Sequence, residues 1–209
     1  MVHYYVTGPD GSGKTSFIGE IASELGARGL NFKFIWIRSP KILSKPLMAY
    51  CRFMGLTKYQ TINGIKYGKH EFFRSDFVSY VFPYLQLIDF KLKWLFVKST
   101  LKRDQILLFD RFNLDTLADL MVSTRDMNLH KTWVGQKFIN LSLENTKLLI
   151  LNVHEDEIRK RKKDTLFDEN LGLKIEAYQI LKKDLQINQI DNNDEFQKVK
   201  REIFEYLEL

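Results

Sequence analysis

The chain of 209 residues contains one cysteine, four prolines and no long unbroken apolar run. Cys51 alone can neither close an internal disulfide nor supply a thiolate zinc cluster, so a reducing compartment is the default. Histidine is also sparse. His3, His70, His130 and His154 never fall within a few residues of each other, and a histidine-built metal site has no support. The most apolar stretch, residues 77–97, is interrupted by Asp89, Lys91 and Lys93, where a membrane span would tolerate no such charges. The first residues carry Asp10, Lys14 and several glycines, which no secretory signal has. Long like-charge and Pro/Ser-rich tracts, the marks of disorder, are missing too. These absences leave a soluble, cytoplasmic protein with no membrane partner, expected as a single domain over 1–209.

What is present is a core-forming composition, 44% hydrophobic, with 32 Lys and Arg against 26 Asp and Glu. The excess of six positive charges favours an anionic partner. Apart from residues 159–163 the basic residues are dispersed, whereas a nucleic-acid coat gathers them on one face. Nucleic acid is therefore not the expected partner, and a small phosphorylated ligand fits at least as well.

Residues 2–7 form a β-rich run ending at glycine, and residues 14–28 repeat Phe17, Ile21, Ala22 and Leu25 at helical spacing before Gly29. Residues 32–37 form a second strand, so the first forty residues read as a βαβ unit with a parallel sheet. A short helix is expected over 47–54. A hairpin excursion is expected over 59–69, turning at Asn63-Gly64. Residues 71–102 read as one long helix whose apolar face carries Phe77, Val81, Leu85, Ile88, Leu92 and Leu95, kinked at Pro83. Further strands are expected at 106–109, 148–153 and 187–190, and helices near 114–125, 131–144, 156–163, 171–185 and 194–206.

Gly8-Pro9-Asp10-Gly11-Ser12-Gly13-Lys14-Thr15 matches G-x-x-x-x-G-K-[ST] between a predicted strand and a predicted helix. Its glycines let successive N–H groups turn inward, and the helix terminus behind them adds partial positive charge. Lys14, expected to face solvent, would reach the β and γ phosphates of ATP, and Thr15 would bind Mg²⁺. The bland alternative is a glycine turn that binds nothing. Asp110 ends the apolar run 106–109 and emerges where ligands bind in α/β sheets, either as a metal or hydroxyl partner or as an acidic strand end in water. Arg111 puts a cation at the same mouth. The guanine-reading and D-x-x-G elements of GTPases are missing, as are the catalytic loop and D-F-G of protein kinases.

With these pieces in order, the chain resembles the thymidylate kinase family of P-loop nucleoside monophosphate kinases over nearly its whole length. The family's G-x-D-G-S-G-K-[ST] is met by residues 8–15, its R-x-P by Arg38-Ser39-Pro40, its helix arginine by Arg74, and its D-R-[YFH] by Asp110-Arg111-Phe112. A basic lid is met by Arg159 and Arg161, followed by a helix carrying Tyr178. The resemblance implies an α/β, three-layer P-loop NTPase fold, with a five-stranded parallel sheet of order 2-3-1-4-5, flanking helices and a small lid near 159–169. It implies ATP bound along residues 8–16, Ser16 included, and Mg²⁺ held by Thr15 and Asp110. Lys14, Asp110, Arg111, Arg159 and Arg161 would serve catalysis. Asp10, Arg38, His70, Phe73, Arg74, Arg111 and Asp115 would line the acceptor side. A homodimer is the common assembly. The sequence departs from the family at Thr7, where an acidic residue is usual, and at His70, where an aromatic ring is usual. It departs again at Asp115 and Asp119, all on the acceptor's base and sugar side.

Three readings follow. The first is ATP-dependent phosphoryl transfer to a nucleoside monophosphate, dTMP before others. The second changes the acceptor to a nucleoside, sugar or other metabolite, because Asp115 and Asp119 suit hydroxyl groups. The third is a P-loop ATPase regulating a nucleic acid or protein partner.

Overall fold

A computed structural model describes residues 2–62, 65–102, 104–161, 165 and 168–209; for residues 60, 62 and 65–67 it describes the backbone alone. The central sheet is built from β1 (His3–Thr7), β2 (Phe32–Ile35), β5 (Ile106–Asp110), β6 (Thr146–Asn152) and β7 (Asn188–Asp191). The remaining strands, β3 (Thr57–Ile62) and β4 (Ile65–His70), pair antiparallel as a separate hairpin. The sheet is parallel throughout, in the order β2-β5-β1-β6-β7. This differs in label from the 2-3-1-4-5 of the sequence reading, because the two hairpin strands intervene in the chain numbering. The hairpin is present, while its expected Asn63-Gly64 turn lies outside the described residues.

The helices are α1 (Lys14–Ala27), α2 (Lys45–Phe53), α3 (Asp76–Ser99), α4 (Asn113–Thr124), α5 (Trp133–Ile139), α6 (Glu155–Arg161), α7 (Leu171–Leu185) and α8 (Phe196–Leu207). Strand alternation sends side chains into two separate cores. Tyr5, Leu107, Phe109 and Ile150 join the core with residues of α2, α3, α4, α5 and α7. Tyr4, Val6, Ile106, Leu108, Leu149 and Leu151 point the other way, against Phe17, Ile21 and Leu25 of α1 and Val199, Ile203 and Leu207 of α8. Covering both faces explains why the β5 run Ile106–Phe109 has no polar residue.

The long helix starts later than the sequence suggests. Phe72–Arg74 is a 3₁₀ turn, and extended Ser75 caps α3 by accepting the Val78 N–H at 3.4 Å. The expected inward stripe also lies on the wrong side. Phe77, Ile88, Leu92 and Leu95 are exposed, whereas Val78, Phe82, Gln86, Leu87, Asp89, Phe90 and Trp94 are buried. Asp89 earns its burial by accepting N–H groups from Ile42, Leu43 and Ser44 and the Ser44 hydroxyl. Among the described residues no helix is long and apolar enough to cross a membrane.

Candidate active site

The β1–α1 turn needs glycine where the chain is tightest. Gly8 has φ +144°, and a Cβ there would stand 2.4 Å from the Leu151 carbonyl oxygen. Gly13 has φ +91°, and its Cβ would meet Asn192 Nδ2 at 2.7 Å. Asn192 follows β7 and donates to the Ser12 carbonyl at 2.8 Å, bracing the loop from the far end of the chain.

Lys14 is buried, 3% exposed, and not solvent-facing as the sequence suggested. Its Nζ donates to the carbonyls of Gly8 at 2.6 Å and Pro9 at 2.7 Å, folding back over the loop that would receive a triphosphate. Burial, then the Arg111 guanidinium, pushes its ammonium down to about 7. Thr15 donates its hydroxyl to Asp110 Oδ2 at 3.1 Å. The other Asp110 oxygen is buried with no hydrogen-bond partner among the described residues. A hydroxyl beside a carboxylate with an unspent oxygen suits a hydrated Mg²⁺ in its donor chemistry, so the residues present fit that ion.

Two guanidiniums share one carboxylate in the same loop, that of Asp10. Arg38 Nη2 donates to Asp10 Oδ2 at 3.2 Å, and Arg111 Nη2 donates to Asp10 Oδ1. Burial alone would raise the Asp10 carboxyl, but Arg38, Arg111 and Lys14 hold it far below the usual carboxylate range. The two arginines also share a frame, since the Ile37 N–H donates to the Arg111 carbonyl at 2.9 Å. Arg111 itself takes φ +72°, in the left-handed region.

Asp119 takes more of Arg38 than Asp10 does, accepting from Nε at 2.8 Å and from Nη2 at 3.1 Å. Asp115, expected to face an acceptor, instead lies 1% exposed beneath the site. It accepts the hydroxyls of Tyr5 at 2.8 Å and Tyr178 at 3.0 Å and the Phe112 N–H at 3.1 Å, and Arg111 Nη1 stands 3.6 Å away. Burial first, and then the Asp115 charge, raises both tyrosines well above their usual range, so they remain donors. Asp115 therefore supports Arg111 from behind and is closed to an acceptor by its burial.

His70 ends β4, stacks on Phe72 with centroids 5.2 Å apart, and meets the Thr57 hydroxyl at 3.1 Å. Burial, then nearby Lys41, lowers it to about 4, so it is neutral near pH 7. Phe73 is partly exposed under Arg125, whose guanidinium carbon lies 5.0 Å from the ring centre. Arg74 stands in the 3₁₀ turn ahead of α3, and not within the helix, and pairs with Glu71 at 3.2 Å. In α6, Arg159 bonds Glu155 one turn earlier and, within the lid segment, the carbonyls of Thr165 and Asp168, and Arg161 is exposed. The expected lid residues 162–164, 166 and 167 lie outside the described residues.

The structure thus gathers Asp10, Lys14, Thr15, Arg38, Asp110 and Arg111 at one mouth of the sheet, with Ser16 in the first turn of α1. His70, Phe73 and Arg74 follow from the hairpin and its exit. No family model matches the chain, and no curated protein sequence matches it. Among solved structures, a thymidylate kinase from Ehrlichia chaffeensis aligns with a TM-score of 0.55. The likeness is one of fold. The two sequences are 16% identical over 100% of this chain and 98% of that one. The sequence reading missed Tyr5 and Asn192. No local pattern marks either, because their partners lie 110 and 180 residues away.

Proposed function

We propose that the chain is an ATP-dependent, Mg²⁺-using nucleoside monophosphate kinase, with dTMP as its first acceptor. The observation that carries this reading is the convergence of Arg38 and Arg111 on Asp10, in the same glycine loop as Lys14 and Thr15. Two guanidiniums sharing one carboxylate form a cradle for a doubly charged phosphate, which can exchange for that carboxylate. The loop amides and Lys14 would hold the donor's phosphates, and Arg111 would neutralise charge between donor and acceptor. Thr15 and Asp110 would hold Mg²⁺, which would supply charge neutralisation on phosphoryl oxygens. Arg159 and Arg161 would add charge from the lid, with His70, Phe73 and Arg74 lining the acceptor's base side. A homodimer through the outward apolar face of α3, including Phe77, Tyr80 and Leu95, belongs to the same proposal.

ADP release measured with ATP, Mg²⁺ and a panel of monophosphates tests it. Stimulation by dTMP is expected, and a flat response to dTMP, dUMP and every other monophosphate ends the reading. One observation favours an unphosphorylated acceptor instead: Asp119 already neutralises Arg38. Turnover of a nucleoside or sugar, with none of a monophosphate, would decide for that second class.

A further inference from the structure

A cavity of about 370 Å³ opens at the amino ends of β1 and β5, which run parallel. His3 begins β1 and Leu107 is second in β5, whereas Thr7 and Asp110 end those strands beside the glycine loop. The cavity therefore lies at the opposite edge of the sheet from the nucleotide side. Its size falls within the range of small-ligand sites, about 300–1,000 Å³. Leucine supplies its apolar wall, from Leu101, Leu107 and Leu143.

The remaining wall is held in place by hydrogen bonds. Gln105 Nε2 donates to Asn31 Oδ1 at 3.2 Å, and Gln105 Oε1 accepts the Lys102 N–H at 3.4 Å. Cations near the carboxyl end of a helix usually answer its free carbonyls. At the end of α3 that task falls to Lys33 of β2, which donates to the Thr100 carbonyl at 3.2 Å and the Thr100 hydroxyl at 2.8 Å. Lys98 and Lys102 line the cavity, are exposed, and form no ion pair among the described residues. The Trp94 ring steadies Lys98, whose Nζ lies 5.3 Å from its centre.

His3 adds a neutral donor. Its Nδ1 takes the Leu107 N–H at 3.1 Å, which leaves the ring's proton on Nε2. Burial lowers its pKa below the ordinary value, so the ring is uncharged near pH 7. With Asp104 the one acid among the described lining residues, two ammoniums leave a single positive charge in excess.

We propose that this cavity binds a small carboxylate with an aliphatic body. The hydrocarbon lies on the three leucines, the carboxylate meets Lys98 and Lys102, and His3 offers its Nε2–H. Charge selects the head group. A phosphate monoester carries about 1.5 to 2 negative charges near pH 7, more than this lining answers with Asp104 beside it, whereas a carboxylate carries one. A neutral alcohol would gain the apolar contact alone.

Titrating the ¹⁵N-labelled full chain with octanoate, and following backbone amide chemical shifts, tests this. Saturable shifts are expected at His3, Gln105 and Leu107, with the amides of Gly11 and Gly13 unmoved. Octan-1-ol should bind about tenfold more weakly than octanoate. The pair Lys98→Gln and Lys102→Gln should lose about tenfold in octanoate affinity with unchanged melting, because both side chains are exposed. Shifts that fail to saturate, or that fall on the glycine loop instead, overturn the proposal. So does an alcohol that matches octanoate, or a lysine pair variant that keeps full affinity. Inorganic phosphate moving the same three amides at lower concentration than octanoate would overturn it as well.

Discussion

ATP binding should draw a proton onto Lys14. In the free chain, burial and then the Arg111 guanidinium bring that ammonium down to about 7. A triphosphate beside it favours the charged form and restores the pKa towards its ordinary value of 10.5. At pH 8 about nine-tenths of the free chains carry neutral Lys14, so binding should take up about 0.9 proton. Because the ligand selects the protonated form, affinity should fall about tenfold per pH unit from 7 to 9 and level off below 7. Calorimetric titration with ATP at pH 8, in buffers of different ionisation enthalpy, counts the protons directly. An uptake below about 0.3 proton would refute the argument. The same depression has a second consequence for the free fold. Between pH 7 and 10.5 the unfolded chain holds a proton that the folded chain has released. Stability from this group therefore rises with pH across that window, by about 5 kcal/mol at most. A melting temperature of the ligand-free chain that falls steadily from pH 7 to 9 would contradict it.

Four further substitutions separate the roles around the glycine loop and its arginines. Asp119→Ala should release Arg38 and lower KM for a phosphorylated acceptor about three- to tenfold, and steady-state kinetics would show a rise instead if Asp119 itself held the acceptor. Asp115→Ala should cost about 3–5 kcal/mol in urea unfolding, because it strands two tyrosine hydroxyls beside Arg111, whereas Tyr178→Phe should cost about 1 kcal/mol. Equal costs would disprove the buried hub. Gly8→Ala should weaken ATP binding about a hundredfold or more in fluorescence titration, since its Cβ has no room against the Leu151 carbonyl; near-normal affinity would mean the loop can reshape.

The parts of this molecule that were legible in the sequence are those whose cause is local. The β1 run, the glycine spacing and the α1 repeat sit within thirty residues, and each has a short-range physical reason. Helix α3 shows where local reading stops. It is apolar nearly all round, so two interleaved stripes share one period, and the stripe with Gln86 and Asp89 is the buried one. Only the loop waiting to bond Asp89 decides between them, and that loop lies 45 to 47 residues upstream. Asp115 failed for a similar reason. As a carboxylate one turn past Arg111 it looked available, yet its partners come from β1 and α7. Lys14 was read as a solvent-facing cation because a motif gives the order of its groups, not the depth at which the chain folds over them.

The brace from Asn192 to the Ser12 carbonyl makes the glycine loop depend on a residue that leaves the ribosome 180 residues after it. A nascent polypeptide that has finished its first strand, its glycine bend and even its middle strand still has a loose front door. The loop's final bracing waits for the segment after β7, when Asn192 closes behind it.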